Sequence, residues 1–211
     1  RWGRRLQPCV RRHTGRVDCS YRDGTWNRTV AIWAILARAD ERTVTNTRLH
    51  SHHMGRIDFA VLGGSGFYEM PGLTDVRDAA VDTPFGATSD TVRIGTLEGR
   101  RVAFLARHGK GHRLLPSELP QRANFWALKS LGVDRVVAIS AVGSLQEGCH
   151  PGDLVVVDQF IDRTRSARPS TYFGDGVVAH VGFADPVCRV LRATAIDAAT
   201  AAGARVIDRG T

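Results

Sequence analysis

Apolar positions in this chain fall into short unbroken runs divided by glycine-rich and polar turns, with two stretches of helical period among them. Residues 57–62, 102–106, 135–139 and 154–157 are largely apolar runs of strand length, and 102–106 is apolar without a break, as in parallel or mixed sheets. Residues 91–97 and 101–106 flank Glu98-Gly99-Arg100, a link that reads as a hairpin. Helical spacing begins after Ser117, a candidate N-cap, with Pro120 in the first turn and Ala123, Trp126, Ala127 and Leu131 on one face, and it ends at Gly132. A second helix is predicted with Asp185 as N-cap, Pro186 at its first position, Val187, Val190, Leu191, Ala195 and Ala198 as the apolar face, and Gly203 as its stop. Residues 205–208 form one more short strand.

Turn chemistry separates these elements. Asp82-Thr83-Pro84-Phe85-Gly86 and Pro151-Gly152-Asp153 place proline and glycine where tight turns use them, and residues 165–182 read as a loop without period. Residues 1–53 show no sustained period apart from the run 31–36. Met54 stands directly before the first strand. The expected organisation is one domain over residues 54–211 preceded by an Arg-rich extension, 1–53, outside the fold. Met54 is then the natural start, with an Arg-rich targeting peptide as the other reading of the extension.

Charge sharpens that division. The net charge of +8 would suit a nucleic-acid binder, but residues 1–53 hold 11 Arg against 4 acids while residues 54–211 hold 18 Lys and Arg against 17. The basic excess belongs to the extension, so nucleic acid is not the expected partner; salt-sensitive DNA binding surviving deletion of 1–53 would overturn this. No run approaches the roughly 20 apolar residues of a membrane span, and the four cysteines lack metal or disulfide spacing. A cytoplasmic protein with reduced thiols is expected.

Three strand ends carry candidate chemistry. The run 102–106 opens into Arg107-His108-Gly109-Lys110-Gly111-His112, where an Arg fork and an imidazole could hold two or three oxygens of one anion; a solvated basic turn is the plain alternative. The first strand opens into Gly63-Gly64-Ser65-Gly66, whose glycines allow close backbone approach to a phosphate and whose Ser65 adds a hydroxyl, or which is simply a tight turn. It lacks the dinucleotide and P-loop fingerprints. The strand 135–139 opens into Ser140-Ala141-Val142-Gly143-Ser144-Leu145. If these strands are neighbours, their tips converge at the carboxyl edge where open α/β sheets bind ligands.

Together with Arg122-Ala123-Asn124-Phe125-Trp126-Ala127-Leu128-Lys129, Asp158-Gln159-Phe160-Ile161-Asp162-Arg163-Thr164 and the two turns above, these stretches resemble the S-methyl-5'-thioadenosine phosphorylases and related trimeric purine nucleoside phosphorylases. The resemblance covers about residues 56–211. It implies a twisted mixed β-sheet flanked by helices, a homotrimer, inorganic phosphate as co-substrate and no metal or organic cofactor. Phosphate would attack the anomeric carbon of a purine nucleoside through a sugar-cation transition state, with catalysis by positioning and electrostatics. Carried over, the phosphate ligands are Ser65, Arg107 and His108, with Ser140 and Ala141 bordering phosphate and ribose. His180 matches a residue that reaches the 5' end of a ligand bound to a neighbouring subunit; it equally reads as an exposed loop histidine, and Ser140 as a core hydroxyl. His112 has no assignment.

The resembled family continues past the equivalent of Thr211 into segments that supply the purine half of its site, including the Asp residues that assist purine departure. The expected activity is phosphorolysis of methylthioadenosine. The alternatives are phosphorolysis of 6-oxopurine nucleosides such as inosine, guanosine or methylthioinosine, and a catalytically inactive interaction module. Without those carboxylates the 211 residues alone are expected to be inactive or slowed, since losing proton donation costs roughly 10²–10⁴ in rate.

Overall fold

The computed structural model of the chain describes residues 56–64, 70, 72–164, 169 and 171–211. The extension 1–53, Met54 and Ser65 fall outside them. Two apolar strands set the architecture. β1 (Phe59–Gly63) is buried at every position, and β4 (Arg100–Ala106) at its last five. A strand with no polar face requires cover on both sides and a partner on each edge.

β1 has both partners. It pairs in parallel with β4, from Phe59 opposite Val102 to Gly63 opposite Ala106, and in parallel with β5 (Val136–Ile139), with Gly63 opposite Ile139. β3 (Val92–Leu97) returns antiparallel to β4 through Glu98 and Gly99, both at positive φ (47° and 78°), the two-residue turn whose twist matches that of the strands. β2 (Thr74–Ala79) pairs antiparallel with β3 at the edge. The order is β2-β3-β4-β1-β5, a five-stranded mixed sheet. This is the mixed α/β architecture expected.

Alternate residues of the central strands feed two cores, as a pleated strand requires. Ala60, Leu62, Ile94, Ala103 and Leu105 pack with Ala127 and Leu128 of helix α1 (Gln121–Ser130). Phe59, Val61, Val102 and Phe104 pack with Met70 and Leu97 on the opposite face. A second unit follows: β6 (Leu154–Val156) and β7 (Val206–Asp208) form a separate two-stranded parallel ladder. Helix α2 (Arg189–Ala201) lays Ala198 and Ala199 against Leu154 and Val206. Arg205 ties the ladder's start together through Asp153 and the Gly148 carbonyl, the latter at 3.0 Å.

Several local expectations are corrected. Ser117 is not a helix cap: it lies in a 3-10 turn, Pro116–Glu118, in which the Leu115 amide donates to Glu118 Oε2 at 2.8 Å. Helix α1 starts at Gln121, after Pro120. Its buried face is Ala123, Asn124, Ala127 and Leu128, whereas Trp126 is 42% exposed, its ring lying edge-on to Phe85 and not in the core. Asp185 and Pro186 precede α2 without capping it; Asp185 pairs with Arg189 at 2.8 Å, and Cys188 takes the cap position. The strand 135–139 is only half-buried, since β5 is the outer strand. β2 has no apolar period to betray it. Cys149 and Cys188 are free thiols, and among the described residues no helix is long and apolar enough to cross a membrane.

Candidate phosphate-binding site

Parallel pairing in register has a direct consequence at the carboxyl edge of the sheet. Gly63 lies opposite both Ala106 and Ile139, so the next residues, Gly64, Arg107 and Ser140, leave the sheet side by side. Neighbouring strands are spaced by about 4.8 Å, which keeps three tips within reach of one small anion. The Arg107 amide donates back to the Gly63 carbonyl at 2.9 Å. Its guanidinium lies over Gly64: a Cβ on residue 64 would stand 2.8 Å from Arg107 Nη2 and 2.9 Å from the Ile139 carbonyl oxygen. Glycine at 64 is what lets the side chain cross.

Beyond Arg107 the chain curls tightly. Gly109, Gly111 and His112 all take positive φ (70°, 80° and 56°), and the amides of Arg113 and Leu114 both donate to the His108 carbonyl at 3.1 Å. His108 is thereby 7% exposed, with Nδ1 2.9 Å from the Leu114 carbonyl oxygen. A carbonyl only accepts, so Nδ1 carries the proton, and the remaining nitrogen, Nε2, is left to meet a ligand. The curl brings the His112 ring parallel to that of His108, with centroids 4.4 Å apart and planes 8° apart. Arg107, His108, His112, Ser140 and Ala141 line a depression of about 400 Å³ together with Pro116, Leu119 and Gln121. That is the size of a small-molecule site rather than of a single ion.

The Asp82–Gly86 turn and the 122–129 segment also meet. Thr83 Oγ1 donates to the Gly86 carbonyl at 2.6 Å, and this turn presents the Phe85 ring edge-on to Trp126 (5.6 Å) and Tyr172 (5.2 Å), with the Arg122 guanidinium 4.9 Å over it. Tyr172 donates its hydroxyl to the Arg122 carbonyl at 3.1 Å. Burial pushes the Tyr172 phenol up, and the Arg122 charge opposes it.

Four of the six residues singled out in the sequence, Arg107, His108, Ser140 and Ala141, thus share one depression. Ser65 lies outside the described residues, one position beyond Gly64. His180 is exposed and is not part of the depression's lining. His112, which carried no assignment, and Gln121, which the sequence did not single out, also line it. The Gly-x-Gly-His run was a signal for His112, because paired glycines permit the reversal that returns the ring. Among the described residues no three His, Cys, Asp or Glu side chains gather in a way that could hold a metal ion.

Comparison with known proteins places these features in context. The family profile described as the phosphorylase superfamily matches residues 58–211. The S-methyl-5'-thioadenosine phosphorylase of Geobacter sulfurreducens is 57% identical over 151 residues, which are 72% of this chain and 53% of that protein. The protein of the same name from Chloroflexus aurantiacus is 53% identical over 163 residues, 77% of this chain and 55% of the relative. Among solved structures, a methylthioadenosine phosphorylase from an Antarctic soil metagenomic library superposes with a TM-score of 0.69 at 50% identity, covering 75% of this chain and 56% of that one. The Schistosoma mansoni methylthioadenosine phosphorylase in complex with adenine gives 0.59 at 42% identity, covering 63% and 50%. The chain spans about half the length of the curated relatives it matches.

Proposed function

This chain belongs to the phosphorylase superfamily, and from that premise we propose that the whole protein splits S-methyl-5'-thioadenosine with inorganic phosphate, giving adenine and 5-methylthioribose 1-phosphate. One observation supports it above the others: the register of β1, β4 and β5 gathers the tips at Gly64, Arg107-His108 and Ser140-Ala141 around one depression. The names of the relatives, with 52–59% identity among those most similar, point the same way.

In this reading the anion is held before it reacts. The Arg107 fork takes two phosphate oxygens in one plane. His108, whose Nδ1–H donates to the Leu114 carbonyl, turns Nε2 toward the hydroxyl of the monoprotonated phosphate, from which it accepts. Ser65 and Ser140 add hydroxyl contacts, and Ala141 leaves room for the ribose. A phosphate oxygen then attacks the anomeric carbon as the glycosidic C–N bond breaks, and the bonding electrons leave with the purine. The sugar is cationic between the two events, so a dianion fixed beneath it lowers the barrier by electrostatics and positioning alone. Phosphate is itself the nucleophile, and the proposed reaction takes no metal or organic cofactor. His180 serves the 5' end of a ligand in a neighbouring subunit of a homotrimer, and the enzyme works in the cytoplasm.

The test is turnover by the full-length protein of methylthioadenosine and of inosine, each with and without phosphate. Strict phosphate dependence and preference for methylthioadenosine are expected. Preference for inosine would assign it to 6-oxopurines, and turnover in water alone would make it a nucleosidase. An Arg107→Ala protein with unchanged KM for phosphate would remove the phosphate site from the strand tips.

A further inference from the structure

The anion loop is braced from behind by a polar pair that the reaction does not itself use. Asn124, on the inward face of α1 beside Ala127 and Leu128, is 0% exposed, as is Ser89. An amide in an apolar core is costly unless its hydrogen bonds are made, and a leucine there would bury more apolar surface. Asn124 makes both bonds to one residue. Its Oδ1 accepts from the Ser89 amide at 2.8 Å, and its Nδ2 donates to Ser89 Oγ at 2.7 Å. Two bonds to one residue fix the rotation as well as the position of the segment that bears it.

That segment in turn grips the loop carrying His108. The Ser89 carbonyl accepts from Arg113 Nη2 at 2.7 Å. Asp90 Oδ2 accepts the Lys110 amide at 2.5 Å, while Oδ1 takes the Thr91 amide at 2.9 Å. Gly109 is pressed against the same place: a Cβ there would stand 2.9 Å from the Ser89 carbonyl oxygen and 2.7 Å from Arg113 Nε. Residues 109–113 are therefore bracketed by Ser89 and Asp90, and the Arg113 and Leu114 amides hold the His108 carbonyl.

We infer that Asn124 and Ser89 are positioning residues for phosphate, setting the height of Arg107 and His108 over the depression through the contacts of Ser89 with Gly109 and Arg113. This rests on the phosphate reading given above. A satisfied buried polar pair contributes specificity of arrangement more than stability, and a misplacement of under 1 Å at a charged site is felt in binding.

The test compares Asn124→Ala, Ser89→Ala, Leu128→Ala and Arg107→Ala in the full-length enzyme, with KM for inorganic phosphate, KM for nucleoside, kcat and thermal midpoint measured for each. Leu128→Ala creates a cavity on the same helix without touching Ser89, and it reports a merely structural loss. For Asn124→Ala the KM for phosphate should rise about tenfold with the nucleoside KM within about twofold, and Ser89→Ala, which keeps the amide bond to Oδ1, should show a smaller rise in the same direction. Leu128→Ala should lower the midpoint and leave the phosphate KM in place. Should Asn124→Ala fail to fold, Ser89→Ala decides alone. The inference is overturned if the Asn124 or Ser89 variant behaves like Leu128→Ala, or if both KM values rise together. Arg107→Ala separates the two levels: no change there sinks the phosphate reading, whereas an effect at Arg107 without one at Asn124 and Ser89 sinks only the positioning role.

Discussion

Gly64 and Arg107 occupy one space: the guanidinium lies where a side chain on residue 64 would begin, 2.8 Å from that absent Cβ. Backbone strain is not the issue there, since the constraint is contact with Arg107 and with the Ile139 carbonyl oxygen at 2.9 Å. Gly64→Ala should therefore push the guanidinium out of the depression. The expected result is a rise in phosphate KM of about tenfold or more, read by steady-state kinetics of the full-length protein. A variant with unchanged phosphate KM would mean that Arg107 points elsewhere when the anion is bound.

His108 separates anchoring from binding by ring nitrogen. In His108→Asn the amide nitrogen falls near the place of Nδ1 and can keep the bond to the Leu114 carbonyl while losing the Nε2 position. In His108→Gln the reverse holds. Phosphate affinity should fall more for Asn, and thermal stability more for Gln, the latter by about 1 kcal/mol for one lost hydrogen bond. Parallel phosphate titrations and melting curves read both, and an opposite ordering would refute the anchoring role of Leu114.

What the sequence made legible follows from how local each signal was. β1 and the last five residues of β4 are apolar and could be read from composition alone. So could the hairpin, because Glu98-Gly99 is itself a turn. β2 escaped because an edge strand with five exposed positions has no face to pattern. Asn124 escaped for a different reason: its inward position is accountable only through Ser89, 35 residues earlier, which satisfies its amide. The tips at Arg107 and Ser140 were visible as sites, but their meeting depends on β1 lying between β4 and β5. The stacking of His112 on His108 depends on a left-handed residue that no period announces.

The hairpin turn offers a stability test independent of function. Glu98 holds φ +47°, a region that an ordinary side chain enters at a cost and that asparagine tolerates. Glu98→Asn converts the turn to Asn-Gly, the pair best suited to this geometry. It should stabilise the fold by about 0.5–1 kcal/mol, seen as a higher denaturant midpoint with an unchanged slope. A loss of stability would show that the Glu98 side chain makes a compensating contact.

Arg107, His108, Ser140 and Ala141 of the proposed phosphate site are among the described residues, so binding can be examined apart from turnover. A ligand that binds only the folded state raises stability by RT ln(1 + [L]/Kd), about 2.7 kcal/mol at one hundred times Kd. Inorganic phosphate should accordingly raise the melting temperature of the 211-residue chain, in proportion to the logarithm of its concentration once above Kd. Sulfate, with the same tetrahedral oxygens, should act in the same direction, and chloride at equal ionic strength should not, since the Arg107 fork requires two oxygens in one plane. General salt screening acts on exposed charges whatever the anion's shape, which is why the chloride control separates the two. Arg107→Ala should abolish the phosphate-specific rise while leaving the salt effect. A rise that survives in that variant would place the anion away from the tips of β1, β4 and β5.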